Sequence, residues 1–188
     1  MVKLVRSFRT SGRLLEIGCG DGILSALLSN VFDITAVDIS SAAIEKASKL
    51  VHPDRLRVMD IEKGDLGREY DIVLALNVLE HLRHPGPAIL KIRESLQKGG
   101  LFIFSVPNNY YLGKVATLIM GLVDRTHISA LTRDEWTALL KMSDFKTVQI
   151  LNGIVLRPFK QEFAKYFAST MVVIAERLPN NNFLDTNR

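Results

Sequence analysis

Short apolar runs that each stop at a glycine, a carboxylate or a proline alternate along this chain with amphipathic stretches. Leu14-Leu15-Glu16-Ile17 stops at Gly18, Ile34-Thr35-Ala36-Val37 at Asp38, and Leu56-Arg57-Val58-Met59 at Asp60. Residues 71–76 are apolar almost throughout, so both faces of that strand are expected to be covered. Residues 101–106 give a fifth strand, stopped by Pro107. Between the runs, Asp21 precedes a helix over residues 23–28. Ser40 or Ser41 caps one running to Leu50, with Glu45 placed to complete a capping box. Pro85, Gly86 and Pro87 open one to Gln97, closed by Lys98-Gly99-Gly100. Strand–helix alternation with short connections predicts an α/β fold: a doubly wound, mainly parallel sheet with helices on both faces. Ligands of such sheets bind beyond the carboxyl ends of the strands, which brings Gly18, Asp38, Asp60 and Asn77 to one crevice.

After Pro107 the pattern changes. Residues 110–123 form an apolar segment expected to lie as a helical lid over the crevice, within an insertion spanning 107–130. Thr132 and Glu135 mark a capping box at the start of another helix. Residues 146–151 and 171–175 read as sixth and seventh strands, with an extra helix over 158–167 between them. The asparagine-rich stretch 179–188 reads as a frayed tail. One domain over residues 1–178 accounts for the whole pattern.

Composition narrows the function classes. Hydrophobic residues are 47% and charged residues 23% of the 188, enough for a sizeable core and against intrinsic disorder. No apolar run reaches the length of a membrane span. Residues 1–10 carry Lys3, Arg6 and Arg9 and no apolar core, unlike a secretory signal. A single cysteine, Cys19, excludes an internal disulfide and a multi-cysteine zinc site, so no metal is expected and a reducing cytoplasm is the simplest setting. The net charge of +4 permits an anionic partner without demanding one. Lys3, Arg6, Arg9 and Arg13 fall at helical spacing, which allows one basic helical face, with a merely solvated face as the default reading.

Gly18-Cys19-Gly20-Asp21-Gly22 allows close backbone approach by a nucleotide, and Asp38 at the next strand end suits ribose hydroxyls. Two ligands compete. A dinucleotide prefers glycines spaced Gly-x-Gly-x-x-Gly and a pyrophosphate on the helix N-terminus. Here the spacing differs, and Glu16 and Asp21 would repel a pyrophosphate while suiting a ligand that carries an ammonium and a sulfonium.

On these residues the chain resembles the class I S-adenosylmethionine-dependent methyltransferases. Residues 14–22 resemble their first motif, 36–40 the second, and 70–82, with Val78-Leu79-Glu80-His81, the fourth. Residues 96–101 resemble the turn before strand five, and Leu131, Thr132, Trp136, Leu139, Leu140, Asp144 and Phe145 the C-terminal helix and its strand. The resemblance implies a Rossmann-like sheet of seven strands, the last antiparallel. It implies S-adenosyl-L-methionine as cofactor, S-adenosyl-L-homocysteine as product and a small-molecule acceptor. It also implies roles: Glu16 beneath the loop; Gly18 and Gly20 close to the methionine portion, with Cys19 and Asp21 as further cofactor-binding residues of the loop; Asp38 on ribose and Ile39 on adenine. Asp60, with Ile61 beside it, would serve the adenine amino group, the Leu76 carbonyl would lie near the methionine ammonium, and Asn77 would also contact the cofactor.

Methyl transfer is an in-line displacement at a carbon activated by cationic sulfur, so the protein mainly positions and desolvates the partners. Where an acceptor proton must leave, histidine is the natural base. His127 and His81 are the candidates, with His127 preferred. Rival readings are an S-adenosylmethionine-binding regulatory protein, an RNA methyltransferase and a nicotinamide-dependent oxidoreductase. Nucleic acid is disfavoured as partner, because Asn108-Asn109-Tyr110-Tyr111 follows the wrong strand for an adenine-amine motif. Monomer and homodimer both remain open.

Overall fold

The computed structural model describes residues 1–107, 128–129, 131–154 and 169–179. The segment 110–123, His127, the expected helix over 158–167 and the tail from 180 lie outside these residues.

Among the described residues, seven strands form one sheet: β1 (Arg13–Ile17), β2 (Asp33–Asp38), β3 (Leu56–Val58), β4 (Tyr70–Leu76), β5 (Leu96–Pro107), β6 (Phe145–Ile154) and β7 (Ser169–Arg177). Their spatial order is β3-β2-β1-β4-β5-β7-β6, with β1 to β5 parallel and β7 antiparallel to both its neighbours. The sequence reverses direction across β1 and β4, the switch point where such sheets open a crevice.

The central strands β1, β4 and β5 are apolar on both sides because both sides are covered. Leu14, Ile72, Leu74 and Ile103 pack with Val5 of α1 (Val2–Phe8) and Leu28 of α2 (Ile23–Leu28). Their chain neighbours Leu15, Val73, Ala75, Phe102 and Phe104 point the other way. They pack with Ile89 and Ile92 of α3 (Pro85–Ser95) and with Trp136 and Leu140 of α4 (Arg133–Met142). The period-2 alternation of a strand thus divides each apolar run between two cores. A third cluster joins Ala36 to Ala47 of the short helix Ser41–Ala47 and to Cys19.

Several local expectations change. The helix after β2 ends at Ala47 rather than Leu50. Ser40 caps it by accepting from Ala43 N–H at 3.3 Å, and Glu45 lies too far along to form a box. The expected box at α4 is present: Thr132 accepts from Glu135 N–H at 3.3 Å and Glu135 accepts from Thr132 N–H at 2.6 Å. Replacing Thr132 by alanine is expected to lower the unfolding free energy by about 1 kcal/mol in denaturant titration. The basic helical face does not form, because α1 stops at Phe8. Arg9 is extended and donates to the Gly99 carbonyl at 3.0 Å, and Arg13 lies in β1. The segment Leu96–Gly100 belongs to β5 rather than to a helix end and turn. Leu96 pairs with Tyr70 and Leu101 with Ile72, so the intervening residues bulge out, with Gly99 at φ +72°. Among the described residues no helix is long and apolar enough to cross a membrane.

Candidate functional site

At the carboxyl ends of β1 to β4 lies a cleft of about 440 Å³. Its lining includes Gly18, Asp38, Ile39, Asp60, Ile61, Asn77 and His81. The four strand ends predicted to converge therefore do so.

The glycine loop is fastened to β2. Gly18 and Cys19 N–H donate to the Val37 carbonyl at 2.8 and 3.1 Å. Gly20 N–H donates to Asp38 Oδ2 at 2.9 Å, and Ser40 N–H to Asp38 Oδ1 at 2.9 Å. Asp38 thus holds the loop on one side while facing the cleft on the other. Gly22 caps α2 at φ +78°, where a Cβ would meet Ala47 Cβ at 2.7 Å and its Cα at 2.9 Å. Gly20 differs: it has φ +57°, yet a Cβ there would meet nothing within 4 Å, so the space beside it is open. Ile39, at the lip, is 70% exposed, an apolar surface left for a flat ligand to cover.

Glu16 and Cys19 do not line the cleft. Glu16 is 4% exposed beneath the loop and accepts from Ser25 Oγ of α2 at 2.5 Å. Burial pushes its carboxyl up to about 7; the Ser25 hydroxyl opposes this and nearby Asp21 adds to it. Its ordinary protonation therefore changes near neutrality. The Cys19 thiol turns into the third core cluster. Burial first, then the charge of Asp38, pushes it up to about 12, so the side chain is an inert core group. Asp21 is exposed and accepts from Ile23 N–H at 3.2 Å, and Leu76 packs with the cluster on the α1 and α2 side.

Asp60 lines the cleft with its oxygens partly engaged: Oδ1 accepts from Glu62 N–H at 3.0 Å and Oδ2 pairs with Lys63 Nζ at 3.0 Å. The Lys63 hydrogen bond holds its carboxyl below the usual range. Lys91 of α3 reaches under this turn and donates to the carbonyls of Ile61, Glu62 and Gly64 at 3.4, 2.7 and 3.4 Å. Sequence reading missed Lys91, because it acts on backbone atoms about thirty residues away and no local pattern marks it. It also missed Ser129, which ties the chain before α4 to the Leu79–His81 turn. Its N–H donates to the Glu80 carbonyl at 2.9 Å and its Oγ to the Leu82 carbonyl at 2.6 Å. His81 is exposed on that turn and faces the cleft. Among the described residues no group of histidine, cysteine and carboxylate side chains could hold a metal ion.

A family model described as a methyltransferase domain matches residues 2–150. The chain belongs to this family. The mitochondrial ubiquinone biosynthesis O-methyltransferase of Schizosaccharomyces pombe is 28% identical over 167 residues, covering 80% of this chain and 61% of that protein. The malonyl-[acyl-carrier protein] O-methyltransferase of Priestia megaterium is 38% identical over 101 residues, covering 51% of this chain and 37% of its own. The chain therefore spans about three-fifths or less of the length of these two curated relatives. Among solved structures, the magnesium protoporphyrin IX methyltransferase of Synechocystis PCC 6803, crystallised with S-adenosylhomocysteine, superposes with a TM-score of 0.71 at 20% identity. The match covers 94% of this chain and 79% of that one, and it shows that the fold is shared.

Proposed function

We propose that this methyltransferase-family domain, residues 1–178, transfers a methyl group from S-adenosylmethionine to a small-molecule acceptor. The observation that carries the reading is the charge of the cleft. Asp38, Asp60 and Glu62 line it, and no lysine or arginine does so among the described residues. A diphosphate would meet carboxylates there, whereas a nucleoside with a cationic sulfur and an ammonium would be attracted. The open space beside Gly20 and the bare Ile39 fit such a ligand. Its named relatives act on small or carrier-bound acceptors, which supports that class here.

When bound, the cofactor supplies an electrophilic methyl on cationic sulfur. In this reading Asp38 and Asp60 orient the nucleoside, Ile39 and Ile61 exclude water from it, and Glu16 keeps the glycine loop seated against α2. His81, on the Leu79–His81 turn, faces the cleft as an acceptor contact or base; His127 keeps the same proposed role from the sequence. Titration calorimetry with S-adenosylhomocysteine and with NAD tests the assignment. Micromolar binding of the first and none of the second is expected; the reverse pattern would transfer the domain to nicotinamide chemistry.

A further inference from the structure

Ser105 sits within β5, 4% exposed, in register with Leu76, the last residue of β4. Asn77 N–H donates to the Ser105 carbonyl at 3.0 Å and lies 3.1 Å from Ser105 Oγ. The same hydroxyl donates to Asn77 Oδ1 at 3.1 Å. One buried hydroxyl therefore accepts from the main chain of Asn77 and donates to its side chain.

The grip coincides with an unusual backbone. Asn77 has φ +53°, a left-handed conformation that asparagine tolerates better than most residues. Next to it, Val78 packs so closely on Gly18 that a Cβ there would meet Val78 Cγ2 at 2.4 Å. Asn77 thus stands at the glycine-loop end of the cleft. With Oδ1 taken by Ser105, the Nδ2 end remains as the donor of the carboxamide. The other polar side chains of the lining are the carboxylates of Asp38, Asp60 and Glu62, and His81 is the one further N–H bearer among them.

Strand order gives that donor a target. From β3 through β2 and β1 to β4, the ends carry Asp60, Asp38, Gly18 and Asn77 in a row, with strands about 4.8 Å apart. A nucleoside held at Asp60 and Asp38 extends its amino-acid tail toward Gly18 and Asn77. Resting on the adenosyl reading above, we propose that Ser105 is a positioning residue that fixes the Asn77 carboxamide as hydrogen-bond donor to the cofactor's methionine carboxylate.

The test compares S-adenosylhomocysteine with 5′-methylthioadenosine, which shares the nucleoside and sulfur but has no amino acid, by titration calorimetry on the full chain. Ser105→Ala is expected to weaken S-adenosylhomocysteine about tenfold, the ratio for one lost hydrogen bond, and to leave methylthioadenosine within about twofold. Asn77→Ala gives the same split, the double variant loses no more than either single one, and Ser105→Thr, which keeps the hydroxyl, restores the wild-type ratio. Asn77→Asp keeps the shape and Oδ1 but exchanges the donor for an oxygen, so it gives the split even if the serine variants fold poorly. Equal weakening of both ligands, additive losses, or unchanged S-adenosylhomocysteine affinity in Ser105→Ala overturns the inference. Wild-type protein that binds neither ligand overturns the adenosyl reading itself, and this inference with it.

Discussion

Replacing Asp38 by alanine is expected to weaken S-adenosylhomocysteine by about 1–3 kcal/mol, roughly fivefold to a hundred-and-fiftyfold in dissociation constant. Two losses combine. The variant lacks the carboxylate that faces the cleft, and it releases the Gly20 and Ser40 N–H groups that both oxygens hold at 2.9 Å. Asp38→Asn separates them. Its single oxygen can keep one of the two loop bonds, so loop order, read from amide hydrogen exchange at Gly20, recovers in part while the charge stays absent. Binding that matches wild type in Asp38→Ala would take this carboxylate out of the site.

The second large effect is a pH dependence of stability set by Glu16. Its carboxyl titrates near 7 when folded and near 4.5 when free, so between those values the folded chain holds a proton that the unfolded chain has lost. Stability from this group is full below pH 4.5 and is lost as pH rises through 7, after which it stays level. The span corresponds to about 3 kcal/mol. Glu16→Gln keeps the shape and an acceptor for Ser25 Oγ but does not titrate. The stability of wild type relative to Glu16→Gln is therefore expected to fall by that amount between pH 4.5 and 8 in denaturant titrations. A flat difference would mean that water reaches this carboxyl.

Much of this architecture is written in short-range pattern. Leu14-Leu15 and Ile72-Val73-Leu74-Ala75 declare strands covered on both faces, and they split between two cores as such strands must. The strand-end carboxylates Asp38 and Asp60 follow from the same runs, because each stands where an apolar run stops. The departures have physical causes. Gln97 to Gly100 carry helix-stop chemistry, yet pairing of Leu96 with Tyr70 draws them into a bulge, a long-range effect no local window contains. Arg9 and Arg13 share helical spacing with Arg6, but α1 ends at Phe8 and the chain turns into β1. Cys19 sits in the loop by sequence and in the core by side chain, because its neighbours are Ala36, Ala47 and Leu56. Ser105 and Lys91 shape the cleft through partners 28 and about thirty residues away, and neither belongs to a recognisable spacing.

β7 lies between β5 and β6, although it follows both along the chain. On the ribosome, which delivers residues in order, β5 therefore emerges with one row of backbone donors and acceptors unmet from Leu101 to Pro107, and β6 arrives without the neighbour it needs. Until residue 169 onward appears, that bare edge is a template for the wrong strand, including one from another nascent copy. Nascent chains stalled before Ser169 should therefore be prone to clump, and β7 serves as the clasp that ends this exposure.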